Sequence, residues 1–223
     1  MKASDISAVN EALKREYEKD EAPVAEFERA RTEDPFRVLV STILSARTKD
    51  GTTSAAVDRL FGVVKGPADL RKIALRRLEK LIFPVGFYRT KARHLKLLPR
   101  ILDEKFAGRI PRTVEDLCEL PGVGRKTANL VVAVGFDKPA ICVDVHVHRI
   151  CNRLGLVSTR TPFETEMALR GTLRVEYWKT WNSYLVSYGQ TVCSPISPKC
   201  DRCVIFGYCD RVGVKTKHMP SPA

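Results

Sequence analysis

Apolar residues recur at helical spacing along most of the chain. The strongest run follows Asp34 and Pro35 and contains Phe36, Val38, Leu39, Val40, Ile43 and Leu44. Aspartate is a favoured N-cap and proline is favoured in the first helical turn, so this segment predicts a capped, buried central helix. Similar start signals predict helices that begin near Ser54, Pro67, Thr90, Thr113 and Thr161.

The chain lacks the sustained alternation of apolar and polar residues that is typical of a half-buried strand. Residues 140–143 are the only plausible extended piece, and they are too few to build a sheet. We therefore predict an all-α protein. The tail at residues 218–223, which contains Pro and Ser, is expected to be disordered.

Charge is distributed unevenly along the chain. Its 223 residues include 38 Lys and Arg against 26 Asp and Glu, a formal net charge of +12. Such an excess favours a polyanionic partner through counterion release. Residues 71–112 hold thirteen bases and three acids, which predicts a nucleic-acid-binding patch, with a solvated helix face as the alternative. No apolar run is long enough to cross a membrane, so a soluble protein is expected.

Four of the seven cysteines have the spacing C-x6-C-x2-C-x5-C, namely Cys193, Cys200, Cys203 and Cys209. Residues 1–21 are charged and provide no apolar leader, so we expect reduced thiols in a cytoplasmic protein. Four thiolates can bind one zinc ion or a [4Fe-4S] cluster. Zinc sites usually pair two C-x2-C hooks and this loop has one, which favours iron–sulfur. Four buried thiols without metal are the alternative, and the polar residues of the loop disfavour it.

Residues 120–128, Leu-Pro-Gly-Val-Gly-Arg-Lys-Thr-Ala, lie between two helical patterns. Gly122 and Gly124 allow a tight turn and a close approach of the backbone to another surface. The N-terminus of the second helix, which starts at Arg125, can then seat a phosphate oxygen. This helix-hairpin-helix pattern indicates binding to a nucleic-acid backbone without sequence preference. An ordinary turn between two helices is the alternative.

Two residues near the hairpin are candidates for chemistry. Lys126 lies in the first turn of the second helix, where the helix dipole favours the neutral amine, a nucleophile that can form a Schiff base with a sugar carbon. Taken alone, Lys126 is better interpreted as a phosphate contact. Asp144 precedes a helical stretch at residues 145–154 and is an N-cap by pattern, but His146 and Arg149 beside it make it a candidate catalytic carboxylate.

Together, residues 120–128, the Val-Asp-Val-His segment at 143–146 and the cysteine loop resemble the endonuclease III family of DNA glycosylases and AP lyases. The resemblance extends from about Phe36 to Cys209. It implies a [4Fe-4S] cluster on the four cysteines and two helical domains that flank a DNA-binding cleft. The six-helix domain would comprise residues 27–137, and the iron–sulfur domain residues 1–26 and 138–223.

The resemblance also implies the reaction. A bifunctional enzyme would excise oxidised pyrimidines from duplex DNA and cleave the strand by β-elimination, with Lys126 as the Schiff-base nucleophile and Asp144 assisting it. Its partner would be double-stranded DNA with damaged bases or abasic sites, bound by a monomer that is associated with the nucleoid in a prokaryote. The implied DNA-binding residues are Arg47, Phe87, Leu120, Gly122, Val123, Gly124, Arg125, Thr127 and His146.

Two of these positions depart from the family pattern. Arg47 stands where glutamine is common, in the loop that fills the vacated base position. Arginine is longer, charged and only donates hydrogen bonds, so recognition of the opposite base would differ. Phe87 stands where a leucine wedge is common, and it would either stack on bases or be a core aromatic residue.

Other functions share parts of this pattern. A mismatch or pyrimidine-dimer glycosylase of the same superfamily would have the hairpin and the cluster, although Lys126 argues against the mismatch-specific adenine enzymes. A non-catalytic DNA-binding module would need only the hairpin, the basic patch and the cluster. A structural protein that binds zinc would be colourless, whereas an iron–sulfur protein is yellow-brown.

Overall fold

The structure is a computed structural model that describes residues 1–19 and 34–220. The predicted domain boundary at residues 26 and 27 and the last three residues of the predicted tail lie outside the described residues. Helices and loops account for all described residues, without a β-strand, which confirms the all-α prediction. None of the described helices is long and apolar enough to span a membrane.

The α-helices of the described residues follow one another in this order: α1 (Ile6–Lys19), α2 (Pro35–Ser45), α3 (Asp50–Phe61), α4 (Pro67–Lys72), α5 (Leu75–Ile82), α6 (Tyr88–Phe106), α7 (Val114–Cys118), α8 (Arg125–Leu130), α9 (Val145–Leu154), α10 (Pro162–Thr172) and α11 (Trp178–Thr191). Contacts divide the chain into two units, one of Met1–Arg29 with Ile141–Ala223 and one of Ala30–Ala140. The predicted domain limits stay a prediction.

Helix α2 is the central element of the unit Ala30–Ala140. The Asp34 carboxylate accepts a hydrogen bond from Phe36 N at 2.9 Å, and Pro35 occupies the first turn, as predicted. The side chains from Val38 to Leu44 are buried. A Cβ on Gly135 would lie 2.9 Å from Pro35 Cα, so this glycine allows the π-helical turn Val131–Gly135 to pack closely against the start of α2.

The predicted start signals lie at or within a few residues of the observed starts of the other helices. Thr113 caps α7 through Asp116 N, and Thr161 caps α10 through Glu164 N. The Glu164 carboxylate accepts from Arg160 N at 2.8 Å, one residue before the cap. The helices predicted near Ser54 and Thr90 begin earlier, at Asp50 and Tyr88.

The other unit packs α1, α9, α10 and α11 around a separate apolar core. Trp181 of α11 is fully buried, and its indole N–H donates to Cys151 Sγ at 3.4 Å. Burial raises the pKa of Cys151 to about 12. The loop that carries the four spaced cysteines follows α11, and Cys193, Cys203 and Cys209 pack against this core.

Candidate functional site

The hairpin between α7 and α8 depends on one of its two glycines. Gly122 has a φ of +79°, and a Cβ there would lie 2.5 Å from His94 Nδ1. Only glycine fits both the left-handed backbone and this contact. Gly124 is the N-cap of α8 with a φ of −98°, and a Cβ there would meet nothing within 4 Å. Gly122 is therefore needed for the fold, whereas Gly124 leaves open space in front of α8.

The hairpin side chains divide into core residues and surface residues. Leu120 and Val123 were among the predicted DNA-binding residues, but only 2% and 8% of their surfaces are exposed, so their side chains belong to the core. Only their main chains remain available to a partner. Arg125 and Thr127 are half-buried, and a guanidinium nitrogen of Arg125 lies 3.7 Å from the Glu115 carboxylate.

Lys126 is exposed and is the second residue of α8, directly after the hairpin. The N-cap residue of α8 is Gly124, which has no side chain that could cover the N-terminus of the helix. Main-chain N–H groups at such an end carry partial positive charge and lack partners within the helix. Lys126 therefore combines an accessible amine with surroundings that suit an anion.

Asp144 belongs to the other unit and caps α9, as its pattern predicted. Its Oδ1 accepts hydrogen bonds from His146 N at 2.8 Å and Val147 N at 3.0 Å, and the residue is 8% exposed. The His146 ring contacts a guanidinium nitrogen of Arg149 at 3.2 Å. A Cβ on Gly189 would lie 2.4 Å from His146 Nδ1, so α11 packs tightly on this ring.

Arg47 and Phe87 lie side by side within the unit Ala30–Ala140. Both have left-handed backbones, with φ of 54° and 57°, and the Arg47 guanidinium carbon is 5.7 Å from the centre of the Phe87 ring. Phe87 is 63% exposed. The alternative that Phe87 is a core aromatic residue is therefore wrong. A cation over an aromatic face is attractive, so the two side chains form a pair.

The bases of residues 71–112 do not all face solvent. Lys91 is buried, and Lys96 Nζ donates to the carbonyl oxygens of Leu70, Arg71 and Ile73 at the end of α4. Carbonyl oxygens at a helix C-terminus attract a cation, which explains why the Lys96 ammonium binds there. Counting every base of residues 71–112 as surface charge was therefore wrong. Arg71 and Lys105 form ion pairs with Asp103 and Glu119. The bases that remain exposed include Lys72, Arg76, Arg77, Lys80, Arg93 and Arg109.

The four spaced cysteines line one cavity after α11. Arg153 donates a hydrogen bond to Cys193 Sγ at 3.4 Å, and Cys209 Sγ lies 3.3 Å from Arg153 O. Burial, together with the neighbouring cysteines, raises the pKa of Cys200. Among the described residues, no group of three or more His, Cys, Asp or Glu side chains has the geometry that would hold a single metal ion.

The other three cysteines differ in accessibility. Cys118 at the end of α7 is exposed, whereas Cys142 and Cys151 are buried. All seven cysteines are free of disulfide bonds.

Comparisons with known proteins agree on one family. The model of the HhH-GPD superfamily of base excision DNA repair proteins matches residues 40–174. Endonuclease III of Thermotoga maritima is 50% identical over 177 residues, which cover 79% of this chain and 83% of the relative.

Two solved structures extend the similarity to nearly the full length of the chain. A non-covalent endonuclease III–DNA complex has a TM-score of 0.82 at 31% identity and covers 95% of this chain and 96% of its own. A trapped endonuclease III–DNA covalent intermediate has a TM-score of 0.80 at 32% identity and covers 95% and 97%. On this evidence from sequence and fold together, the chain belongs to the HhH-GPD superfamily of base excision repair proteins and, within it, to the endonuclease III family.

Proposed function

We propose that this chain excises oxidised pyrimidines from duplex DNA and cleaves the strand by β-elimination at the abasic site that results. Its family makes it a base excision repair DNA glycosylase and AP lyase. The proposal adds the class of lesion and the residues that act. One observation carries it: an exposed lysine, Lys126, stands in the first turn of α8 directly after the hairpin. We further propose that the protein acts as a monomer in the cytoplasm, associated with the nucleoid if the cell is prokaryotic.

The first step is exposure of the damaged base. A nucleotide must rotate out of the stack, which costs a few kcal/mol and costs least for a damaged base. Oxidised pyrimidines that have lost ring planarity stack poorly and meet this condition. The hairpin would hold the phosphate backbone through main-chain N–H groups, since Gly124 leaves room for a close approach.

The chemical steps follow from an amine nucleophile. Lys126 Nζ attacks the sugar C1′, the bond from C1′ to the base breaks, and the base leaves with a proton. Opening of the sugar ring gives a Schiff base between Lys126 and C1′. Loss of a proton from C2′ then expels the 3′ phosphate, and water releases the lysine. The Asp144 carboxylate would remove the proton from the amine or stabilise positive charge on the sugar.

Borohydride trapping tests the nucleophile. Wild-type protein incubated with DNA containing an oxidised pyrimidine should form a covalent adduct when borohydride reduces the Schiff base. Lys126→Gln should abolish the adduct and retain duplex binding. Lys138→Gln is the matched control, because Lys138 is an exposed lysine of the same unit outside the hairpin. An adduct that persists in Lys126→Gln would assign the chemistry to another amine.

Asp144 needs a test that separates catalysis from capping. Asn is as good an N-cap as Asp, so Asp144→Asn should fold normally and lose turnover, whereas Asp144→Ala should also lose about 1 kcal/mol of stability. Damaged-DNA affinity of Asp144→Asn should stay near or above wild type, because less negative charge opposes the phosphates. If Asp144→Asn keeps the turnover of wild type per folded molecule, Asp144 acts only as the N-cap of α9 and not in catalysis.

We further propose that Cys193, Cys200, Cys203 and Cys209 hold a [4Fe-4S] cluster. A zinc ion needs its four sulfurs about 2.3 Å from one point, whereas a cluster binds each cysteine through a different iron and spreads the sulfurs apart. All four thiols line one cavity, and membership of the endonuclease III family favours the cluster over zinc. The cluster would stabilise the loop after α11, and no step of the reaction is assigned to it.

Metal analysis tests this assignment. Anaerobically purified protein should be yellow-brown and contain about four irons per chain, as a four-thiolate cluster requires. Cys203→Ala should lose the colour and destabilise the unit that contains Cys203. Colourless protein with one zinc per chain would contradict the proposal.

A further inference from the structure

We propose that Lys91 is a positioning residue that clamps the loop of Arg47 to the loop of Phe87, so that these two side chains act as one preformed wedge for base recognition. The clamp itself is a statement about the unit Ala30–Ala140. The role in base recognition rests on the proposed function.

The clamp begins with the three hydrogen bonds of the Lys91 ammonium. Nζ donates to Leu44 O at 2.8 Å, Ala46 O at 2.6 Å and Thr48 Oγ1 at 3.2 Å. An ammonium has three N–H donors, and here each has an oxygen partner. Leu44 O belongs to the last turn of α2, where unpaired carbonyls carry partial negative charge. One side chain therefore contacts both neighbours of Arg47, the main chain of Ala46 and the hydroxyl of Thr48.

The same contacts reach the second loop. Thr48 Oγ1 also accepts a hydrogen bond from Gly86 N at 3.1 Å, so one hydroxyl joins Lys91 to the residue before Phe87. A Cβ on Gly86 would lie 2.5 Å from Arg47 O. The two loops thus approach backbone to backbone, which only glycine permits at this point.

The clamped residues are held in a conformation that they would not adopt unaided. Arg47 and Phe87 both have positive φ, which is unfavourable for residues other than glycine and persists where the surroundings fix it. The Arg47 guanidinium lies over the Phe87 ring, and both side chains are exposed. Fixing such a pair before DNA binds removes an ordering cost from recognition.

Lys91 cannot act on DNA by direct contact. It is 6% exposed, and its ammonium is surrounded by main-chain and hydroxyl oxygens of the same unit. A change in base discrimination on removing the ammonium would therefore have to pass through Arg47 and Phe87. Burial lowers the pKa of Lys91 to about 8, which agrees with an amine enclosed by protein.

Lys96 provides a matched control on the same helix. Its Nζ likewise donates three hydrogen bonds, all of them to main-chain oxygens, at 3.1, 2.6 and 2.5 Å. These oxygens belong to the end of α4 and to Ile73 rather than to either clamped loop. Lys91→Met and Lys96→Met each remove an ammonium and keep most of the side-chain volume. Both should lower the melting temperature, so stability alone cannot account for a difference between them.

The experiment compares the two variants on several substrates, per folded molecule. Excision of an oxidised pyrimidine opposite each of the four bases is measured beside cleavage of abasic DNA. Lys91→Met should lower excision by about ten- to a hundredfold and flatten the preference for the opposite base, while abasic cleavage changes little. Lys96→Met should leave the ratio of excision to abasic cleavage as in wild type. An equal shift of this ratio in both variants, or no shift in Lys91→Met, would overturn the proposal.

Amide hydrogen exchange tests the clamp independently of enzyme activity, because it measures how firmly the two loops are held. Lys91→Met should speed exchange in residues 46–48 and 86–88, and Lys96→Met should not; unchanged exchange in both segments would rule out the clamp. Thr48→Val, which removes the shared hydroxyl, should reproduce the result if Lys91→Met folds poorly. Wild-type protein that neither excises nor traps DNA would refute the proposed function, while the exchange result would still decide the clamp.

Discussion

The hairpin at residues 120–126 and the paired loops at residues 46–48 and 85–87 lie in the same unit but are held in different ways. Features close in sequence form the turn of the hairpin, where Gly122 has a left-handed backbone and Thr113 caps the preceding helix, and His94 of α6 packs against Gly122. The paired loops depend on contacts between residues 38 to 47 positions apart, all of which meet at Lys91 and Thr48.

This difference separates two kinds of functional element. A hairpin that binds any backbone needs only a correct turn and an accessible helix end, both of which a short motif can specify. A pair of side chains that reads bases needs fixed positions relative to each other, which short-range contacts do not provide. The following substitutions test this comparison, starting with the largest expected effect.

The two hairpin glycines should respond very differently to the same change. Gly122→Ala forces a left-handed alanine into contact with His94 and should cost roughly 2–4 kcal/mol of stability, with loss of duplex binding. Gly124→Ala has open space and should fold as wild type, while weakening duplex binding if phosphates approach there. Denaturant unfolding and a duplex-binding titration measure both effects. Equal destabilisation by the two variants would contradict this division of roles.

Gly86→Ala should separate the paired loops. The added methyl would lie 2.5 Å from Arg47 O, a main-chain atom, so the loops must move apart at a cost of roughly 1–3 kcal/mol. Gly51→Ala is the control, since a Cβ at Gly51 in the first turn of α3 meets nothing within 4 Å. Thermal unfolding should show a loss for Gly86→Ala alone. If Gly86→Ala changes neither the stability nor the preference for the opposite base, the paired loops do not depend on this close approach.

Salt dependence should distinguish surface bases from structural ones. Duplex affinity should fall with salt by a log–log slope of about 0.9 per phosphate neutralised, so removing one exposed base that contacts a phosphate makes the slope shallower by about that amount. Arg76→Ala and Arg77→Ala test exposed bases, and Lys96→Met tests a base whose ammonium binds carbonyls. A wild-type affinity that hardly responds to salt would mean that the basic stretch is only a solvated surface.

The pH dependence of stability should show the burial of Lys91. Its pKa is about 8 in the folded protein, below the usual 10.5, so above pH 8 the unfolded chain keeps a proton that the folded chain has lost. Raising the pH in this window stabilises the folded state relative to the unfolded one. Between about pH 7 and about pH 9, wild type should gain about 1 kcal/mol relative to Lys91→Met. Parallel curves for the two proteins would show that Lys91 keeps an ordinary pKa.

Sequence was sufficient for features that short segments determine. Asp34 with Pro35, Thr113 with Asp116, and Asp144 before α9 each place cap and helix within a few residues, and each cap lies where the pattern put it. The hairpin glycines and Lys126 are also local, and the family resemblance joined them to the cysteine spacing.

Contacts distant in sequence limited the rest of the prediction. Lys91 was counted among surface bases, because nothing near it in the chain shows that its partners are Leu44 O and Ala46 O. Leu120 and Val123 were predicted to bind DNA, and tertiary packing buries their side chains, which leaves their main chains for such a contact. The left-handed backbones of Arg47 and Phe87 likewise depend on packing between loops, since neither residue favours that conformation by itself.

Of the three cysteines outside the spaced loop, only Cys118 is exposed, and it lies next to the hairpin. This cysteine therefore offers a position for site-specific labelling near the hairpin. Cys118 ends the helix before the hairpin at the surface, while Cys151 is enclosed and its thiol pKa is raised to about 12. Alkylating reagents attack the thiolate, so in protein whose four loop thiols are bound to iron, a dye should attach at Cys118 first. One fluorophore could then report hairpin engagement with DNA in real time, without an engineered cysteine.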